Sequence, residues 1–202
     1  MGSTPVPEHV YQFLIVLPNT DPLVWRRIRV PESYSFWDLH VAIQDAMGWQ
    51  DRHLHEFTLL DSQTGQRTRI GIPDDESPSQ SPCSAGWEVP IARYLELGTG
   101  SARYLYDFGD SWQHSLELEE IVPSDGGLYP RCLAGAGACP PEDVGGTLGY
   151  QEFVRILRDP RDPEHGAMLE WVGGSFDPDS FSADSIIFED PRERWQIAFE
   201  DR

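Results

Sequence analysis

The sequence predicts an α+β fold, a mixed sheet with a β-grasp-like start of hairpin, helix and strand, followed by a helical C-terminal part. Three observations predict it. Two strand-like runs at 10–17 and 23–30 flank a short turn, a capped amphipathic helix follows directly at 36–47, and further strand patterns precede any second helix. Strands first and helices later is the α+β order, not the alternation of a parallel βαβ sheet.

The first run, VYQFLIVL, is β-branched and aromatic, and PNTDP carries turn residues into LVWRRIRV, which completes a hairpin. Along the second strand, Val24, Arg26, Ile28 and Val30 share the better core face. Ser35 is placed as an N-cap with Asp38 three residues on. Phe36, Leu39, Ile43 and Met47 then recur at helical spacing, and Gly48 ends the helix in a left-handed turn. HLHEFTLL at 53–60 and RTRIGI at 67–72 read as strands. Residues 73–90 are rich in Pro, Ser, Asp and Glu and read as a mobile loop, and 91–97 as one or two helical turns.

A second hairpin, 102–108 and 112–122, turns around Gly109-Asp110-Ser111. In its second strand Trp112, His114, Leu116 and Leu118 alternate with Gln113, Ser115, Glu117 and Glu119, which places His114 on the apolar side. A Gly/Pro-rich loop at 124–149 follows, then helical patterns from Tyr150 and Met168, and a short helix at 191–200 begun by Pro191. The expected organisation is one domain over 1–202. Its sheet-plus-helix core spans 10–122, and the loop and helices of 123–202 pack on it.

Composition narrows the function. The 202 residues hold 34 Asp+Glu against 15 Lys+Arg, a net charge of −19, and every basic residue is Arg. Without Lys there is no Walker lysine and no Schiff base. So acidic a surface makes direct nucleic-acid binding an unfavoured expectation; it suits a basic protein partner or metal cations, and the plainer reading is that the charge serves solubility. No stretch is long and apolar enough to span a membrane, and MGSTPVPEHV lacks the pattern of a secretory signal. Cys83, Cys132 and Cys139 are neither a disulfide framework nor a zinc knuckle, so a cytoplasmic location is expected.

HLHEF at 53–57, YDFGDSWQH at 106–114 and CPPEDVGGTLGY at 139–150, in this order, resemble the plasmid pRiA ORF-three-like family. The flanking WRRIRVPESYSFWDLHVAIQDAMGW, YPRCLAGAGACPPED and WVGGSFDPDSF extend the resemblance over roughly 10–181. It implies a small bacterial or archaeal α+β protein without an established activity. Some members carry a transposon-resolvase label, which implies an accessory of a mobile element. The residues oppose a resolvase. Ser3 lies in an N-terminal tail, Ser33 and Ser35 start a helix, and 159–202 is acidic where a basic helix-turn-helix is required. Val144 stands where many relatives carry Cys, so no metal or redox role passes through that position.

Two patterns carry candidate chemistry. His53 and His55 on one strand, with Asp107, Asp110 and His114 on a hairpin, offer imidazoles and carboxylates to a first-row divalent metal. The alternative is structural: Asp107 and Asp110 cap the Gly109 turn, and His114 is a buried neutral imidazole hydrogen-bonded to one of them. Glu142 and Asp143 follow Pro140-Pro141, a placement that suits cation ligands, a general base, helix caps or plainly solvated carboxylates. The acid–base candidates are thus Asp110, His114, Glu142 and Asp143. The expected function is a binding or interaction module working where 53–57, 107–114 and 139–146 meet. The alternatives are a metal-dependent hydrolase using the His/Asp cluster and the mobile-element accessory.

Overall fold

A computed structural model describes residues 7–60, 66–73, 82–97 and 101–200. The chain forms β1 (His9–Leu17), β2 (Val24–Pro31), α1 (Phe36–Met47), β3 (His55–Leu60), β4 (Arg67–Gly71) and β5 (Cys83–Ala85). It continues as β6 (Ser101–Tyr106), β7 (Trp112–Pro123), β8 (Arg131–Ala136), α2 (Gly146–Arg158), α3 (His165–Trp171) and α4 (Pro191–Phe199). The eight strands make one sheet in the order β5-β4-β3-β6-β7-β1-β2-β8, antiparallel except for the β4–β5 pair. The α+β class is as the order of patterns predicts. The start runs hairpin, helix, strand as expected; in the sheet β3 pairs with β4 and β6, and the second neighbour of β1 is β7.

One face of the central strands is buried. Phe13, Ile15, Ile28, Phe57, Tyr104, Tyr106, Trp112 and Leu116 are each at most 1% exposed, and α1 lays Phe36, Leu39 and Ile43 on them. Each such side chain gains roughly 1.5–3 kcal/mol by leaving water. Tyr150, Phe153 and Val154 of α2 join the same cluster. On the opposite face Arg27 forks onto Glu119 at 2.7 and 2.8 Å, and Gln12 bridges Glu119 and Arg29, a partly buried ladder of cross-strand pairs.

The ends of α1 are fixed as the sequence reads. The Ser35 hydroxyl accepts from Asp38 N–H, the Asp38 carboxylate accepts from Ser35 N–H, and Gly48 closes the helix at φ 102°. Arg26, on the core face of β2, is 2% exposed and donates to the carbonyls of Ala46, Trp25, Ala136 and Gly137. Its guanidinium also lies 4.3 Å from the Phe181 ring. Arg26 thus ties the last turn of α1 to the β2–β8 edge.

Three expectations about elements change. His53 precedes β3 and does not lie on it. Of the predicted loop at 73–90, residues 74–81 lie outside those described, but Cys83–Ala85 form β5 and Gly86–Glu88 a 3-10 turn. The Gly/Pro stretch contains an edge strand, β8, paired with β2. Among the described residues no helix is long and apolar enough to cross a membrane.

Candidate functional site

Three segments distant in sequence meet beyond the C-terminal end of α1. The first is 49–54, which leads from α1 into β3. Trp49 is buried, stacks 5.0 Å from Tyr106 and 5.7 Å from Trp112, and donates its indole N–H to Pro140 O at 3.0 Å. The second is the β6–β7 turn. Asp107 adopts φ 54°, its Oδ1 accepts from Gly109 N–H at 2.9 Å and its carbonyl from Ser111 N–H at 2.7 Å. This is the self-capped turn that short polar side chains favour in left-handed conformations.

The third segment is 139–146. Asp110 Oδ2 accepts from Gly145 N–H at 3.0 Å, across 35 residues of sequence. Gly146 has φ 67°, and a Cβ there would stand 2.3 Å from Asp110 O. Only glycine lets this loop lie so close to the hairpin. Glu142 accepts from Tyr106 O–H at 3.0 Å and from Gln50 N–H at 2.9 Å, and Tyr106 Oη accepts from Arg52 N–H at 3.0 Å. Burial and then the Glu142 carboxylate push the Tyr106 phenol well above its usual range, so it remains a donor.

At the junction His53 Nε2 faces three carboxylates. It is 3.2 Å from Asp143 Oδ1, 3.6 Å from Asp107 Oδ2 and 4.0 Å from Glu142 Oε2. That nitrogen is shielded from solvent and makes no hydrogen bond. Ligand atoms of His53, Asp107 and Asp143 all fall within 4.8 Å of one another. Asp107 and Glu142 form the base, at 10% and 12% side-chain exposure, and Asp143, at 63%, the solvent edge. One imidazole among three carboxylates is a donor set suited to zinc, manganese or iron. Its carboxylates repel one another across so short a span unless a cation lies between them.

The other expected ligands go elsewhere. Asp110 serves the Gly145 N–H. His114 is 1% exposed, edge-on to Trp49 at 5.2 Å, and donates from Nδ1 to Tyr104 O at 3.3 Å, not to a carboxylate. Its Nε2 has no partner, and burial holds its pKa at about 4. His55 opens β3 facing the core, opposite Tyr106, and stacks on His40 with centroids 3.5 Å apart at 9°. Burial, then His40, holds it well below the usual histidine range. The five-ligand hydrolase centre is therefore not assembled: His55 and His114 turn into the core, while His53 and Asp107 meet at the junction with Glu142 and Asp143. Phe108 is 51% exposed at the hairpin tip. Burial raises the thiols of Cys132 and Cys139, consistent with structural roles.

Sequence reading missed Tyr106 and the backbone of 50–52. It also missed a buried relay beside His55. Gln44 donates to Tyr104 Oη at 2.9 Å, and the phenol O–H is left to donate to His40 Nδ1 at 2.8 Å. That assigns the proton on Nε2, which donates to Asp51 Oδ1 at 2.9 Å. The available signal was His40 and Gln44 one turn apart, flanking the apolar stripe of α1.

The sequence pattern described as plasmid pRiA4b ORF-3-like protein matches residues 9–185. The chain belongs to the plasmid pRiA4b ORF-3-like family. All three segments of the His53 junction lie inside that span, whereas α4 lies beyond it. The chain is 40% identical over 174 residues, 86% of each chain, to the uncharacterized protein y4hQ of Sinorhizobium fredii. The fold matches the crystal structure of a protein of unknown function from Methanosarcina mazei Go1. The TM-score is 0.83 and the identity 40%, covering 90% of this chain and 99% of that one.

Proposed function

We propose that this chain is a binding module whose working surface is the junction of 52–54, the β6–β7 turn and 139–146, and that it holds a divalent first-row cation there. His53 Nε2, Asp107 and Asp143 are the ligands, and Glu142, held by Tyr106 and Gln50, adds negative charge beside them. The observation that carries this reading is the His53 nitrogen, shielded from solvent, without a hydrogen bond, and aimed at three carboxylates. A cation at this rim, with open positions toward solvent past Asp143, would bridge the module to a carboxylate or phosphate of its partner.

Calorimetry with Mn2+ and Zn2+ on protein carrying no polyhistidine tag tests this. One equivalent of ion is expected, lost in His53→Ala and weakened at least tenfold in Asp107→Asn. Asparagine keeps the left-handed turn and its acceptor for Gly109 while removing the charge. His9→Ala, in the separate exposed group with Glu8 and Glu32, serves as the control and should bind like the parent. Binding that ignores His53→Ala, or no stoichiometric binding, contradicts the reading.

A further inference from the structure

A second cleft, sharing no residue with the His53 junction, lies at the opposite end of α1. Its volume is about 460 Å3, within the range of small-ligand pockets. Three tryptophans from three elements line it: Trp37 of α1, Trp87 of the 3-10 turn after β5, and Trp195 of α4. Phe199 fixes their mutual arrangement from behind, with centroids 5.4 Å from Trp37, 5.2 Å from Trp87 and 5.4 Å from Trp195. Trp37 is anchored by donating its indole N–H to Pro191 O at 2.9 Å.

The polar part of the lining is mainly acidic. Asp38, Glu88 and Glu200 border the cleft, against Arg192 as the one cationic lining residue among the described residues. The Asp38 carboxylate is engaged in capping α1, but Glu88 and Glu200 are exposed at the rim. Trp195 Nε1 is shielded from water, so a molecule in the cleft meets the ring of Trp195 and not its N–H. Indole faces attract cations through the ring quadrupole, and the acidic rim and the net charge of −19 concentrate them at its mouth.

From these features we propose that the Trp37–Trp87–Trp195 cleft binds an organic cation. The ligand carries an alkylated ammonium or guanidinium head against the partly exposed rings of Trp87 and Trp195, over a floor that includes the buried Trp37. The same head is offered by a free small molecule and by a basic side chain of a peptide, and the experiment distinguishes them.

The test follows the tryptophan indole N–H resonances of the 15N-labelled full chain during titration with choline and, separately, with its uncharged isostere 3,3-dimethylbutanol. Choline is expected to move the Trp195 indole resonance, with the neutral analogue at least about tenfold weaker, the margin a desolvated cation–π contact supplies. Trp195→Leu should abolish the choline response. Glu88→Gln, an exposed substitution that leaves the fold intact, should weaken it several-fold. A peptide bearing trimethyllysine that binds tighter than choline at the same resonances assigns a protein source. Equal or weaker peptide binding assigns a free small molecule. Equal response to choline and dimethylbutanol, a response indifferent to Glu88→Gln, or no response at about 0.1 M choline overturns the proposal.

Discussion

His114 donates from Nδ1 to a backbone carbonyl inside the core, and its other nitrogen is buried without a hydrogen-bond partner. Protonation would bury a charge without a partner, which is why its pKa falls to about 4 from an ordinary 6.5. The unfolded chain therefore binds more protons than the folded one between these values, so stability rises with pH there. The contribution is fully present above about pH 6.5 and is lost as pH falls toward 4, by up to about 3 kcal/mol. Urea midpoints from pH 7.5 to 4 should drop across this window, and 15N spectra at pH 5.5 should show His114 neutral with its proton on Nδ1. A charged His114 at pH 5.5 contradicts the assignment. The polarity of this position was legible, because strict alternation from Trp112 to Leu118 puts it on the apolar side. The fate of His53 and His55 was not. Two histidines separated by one residue share a face only within a strand, and β3 begins after the first of them.

At the scale of elements, short side-chain ties decide how pieces meet. Arg26 satisfies four carbonyls where α1, β2 and β8 converge. Arg26→Met leaves buried acceptors unpaired and should cost about 3 kcal/mol, read as a lower urea midpoint at unchanged slope. Gly146 seats the 139–146 loop on the hairpin. Gly146→Ala meets Asp110 O from a left-handed backbone and should cost about 1–3 kcal/mol. It should also weaken Mn2+ binding several-fold, although Gly146 ligates nothing. Unchanged affinity would mean that the loop does not position Asp143. Helix α1 was readable to the residue because its caps are local hydrogen bonds between side chain and backbone. Strand β8 was not: RCLAGA lacks the β-branched and aromatic residues that mark strands, and its pairing with β2 is made across a hundred residues. The same holds for β5, three residues long and paired in parallel with β4.

For the whole molecule the governing quantity is a charge of −19 spread over 202 residues. Ion pairs such as Arg27–Glu119 and Arg194–Asp45 satisfy the arginines locally, and the surplus is carboxylate. Self-repulsion of this kind is screened by salt, so the melting temperature should rise on going from roughly 20 mM to roughly 0.5 M NaCl. The same field opposes phosphate backbones. A gel shift with duplex DNA at low salt, where nonspecific contacts are strongest, should give no retardation at micromolar protein. A shifted band under those conditions would revive the mobile-element reading. The class of the fold was legible from the order of patterns, but the sheet order was not, since it depends on which distant strands pair. That order sets β3 beside β6 and β6 beside β7, and so brings His53 to Asp107. The most direct test of the His53 junction is paramagnetic broadening of the 15N-labelled chain by substoichiometric Mn2+. Losses concentrated at His53, Asp107–Asp110 and Glu142–Gly145 are predicted. Broadening spread evenly over the acidic surface, or centred elsewhere, would contradict the account.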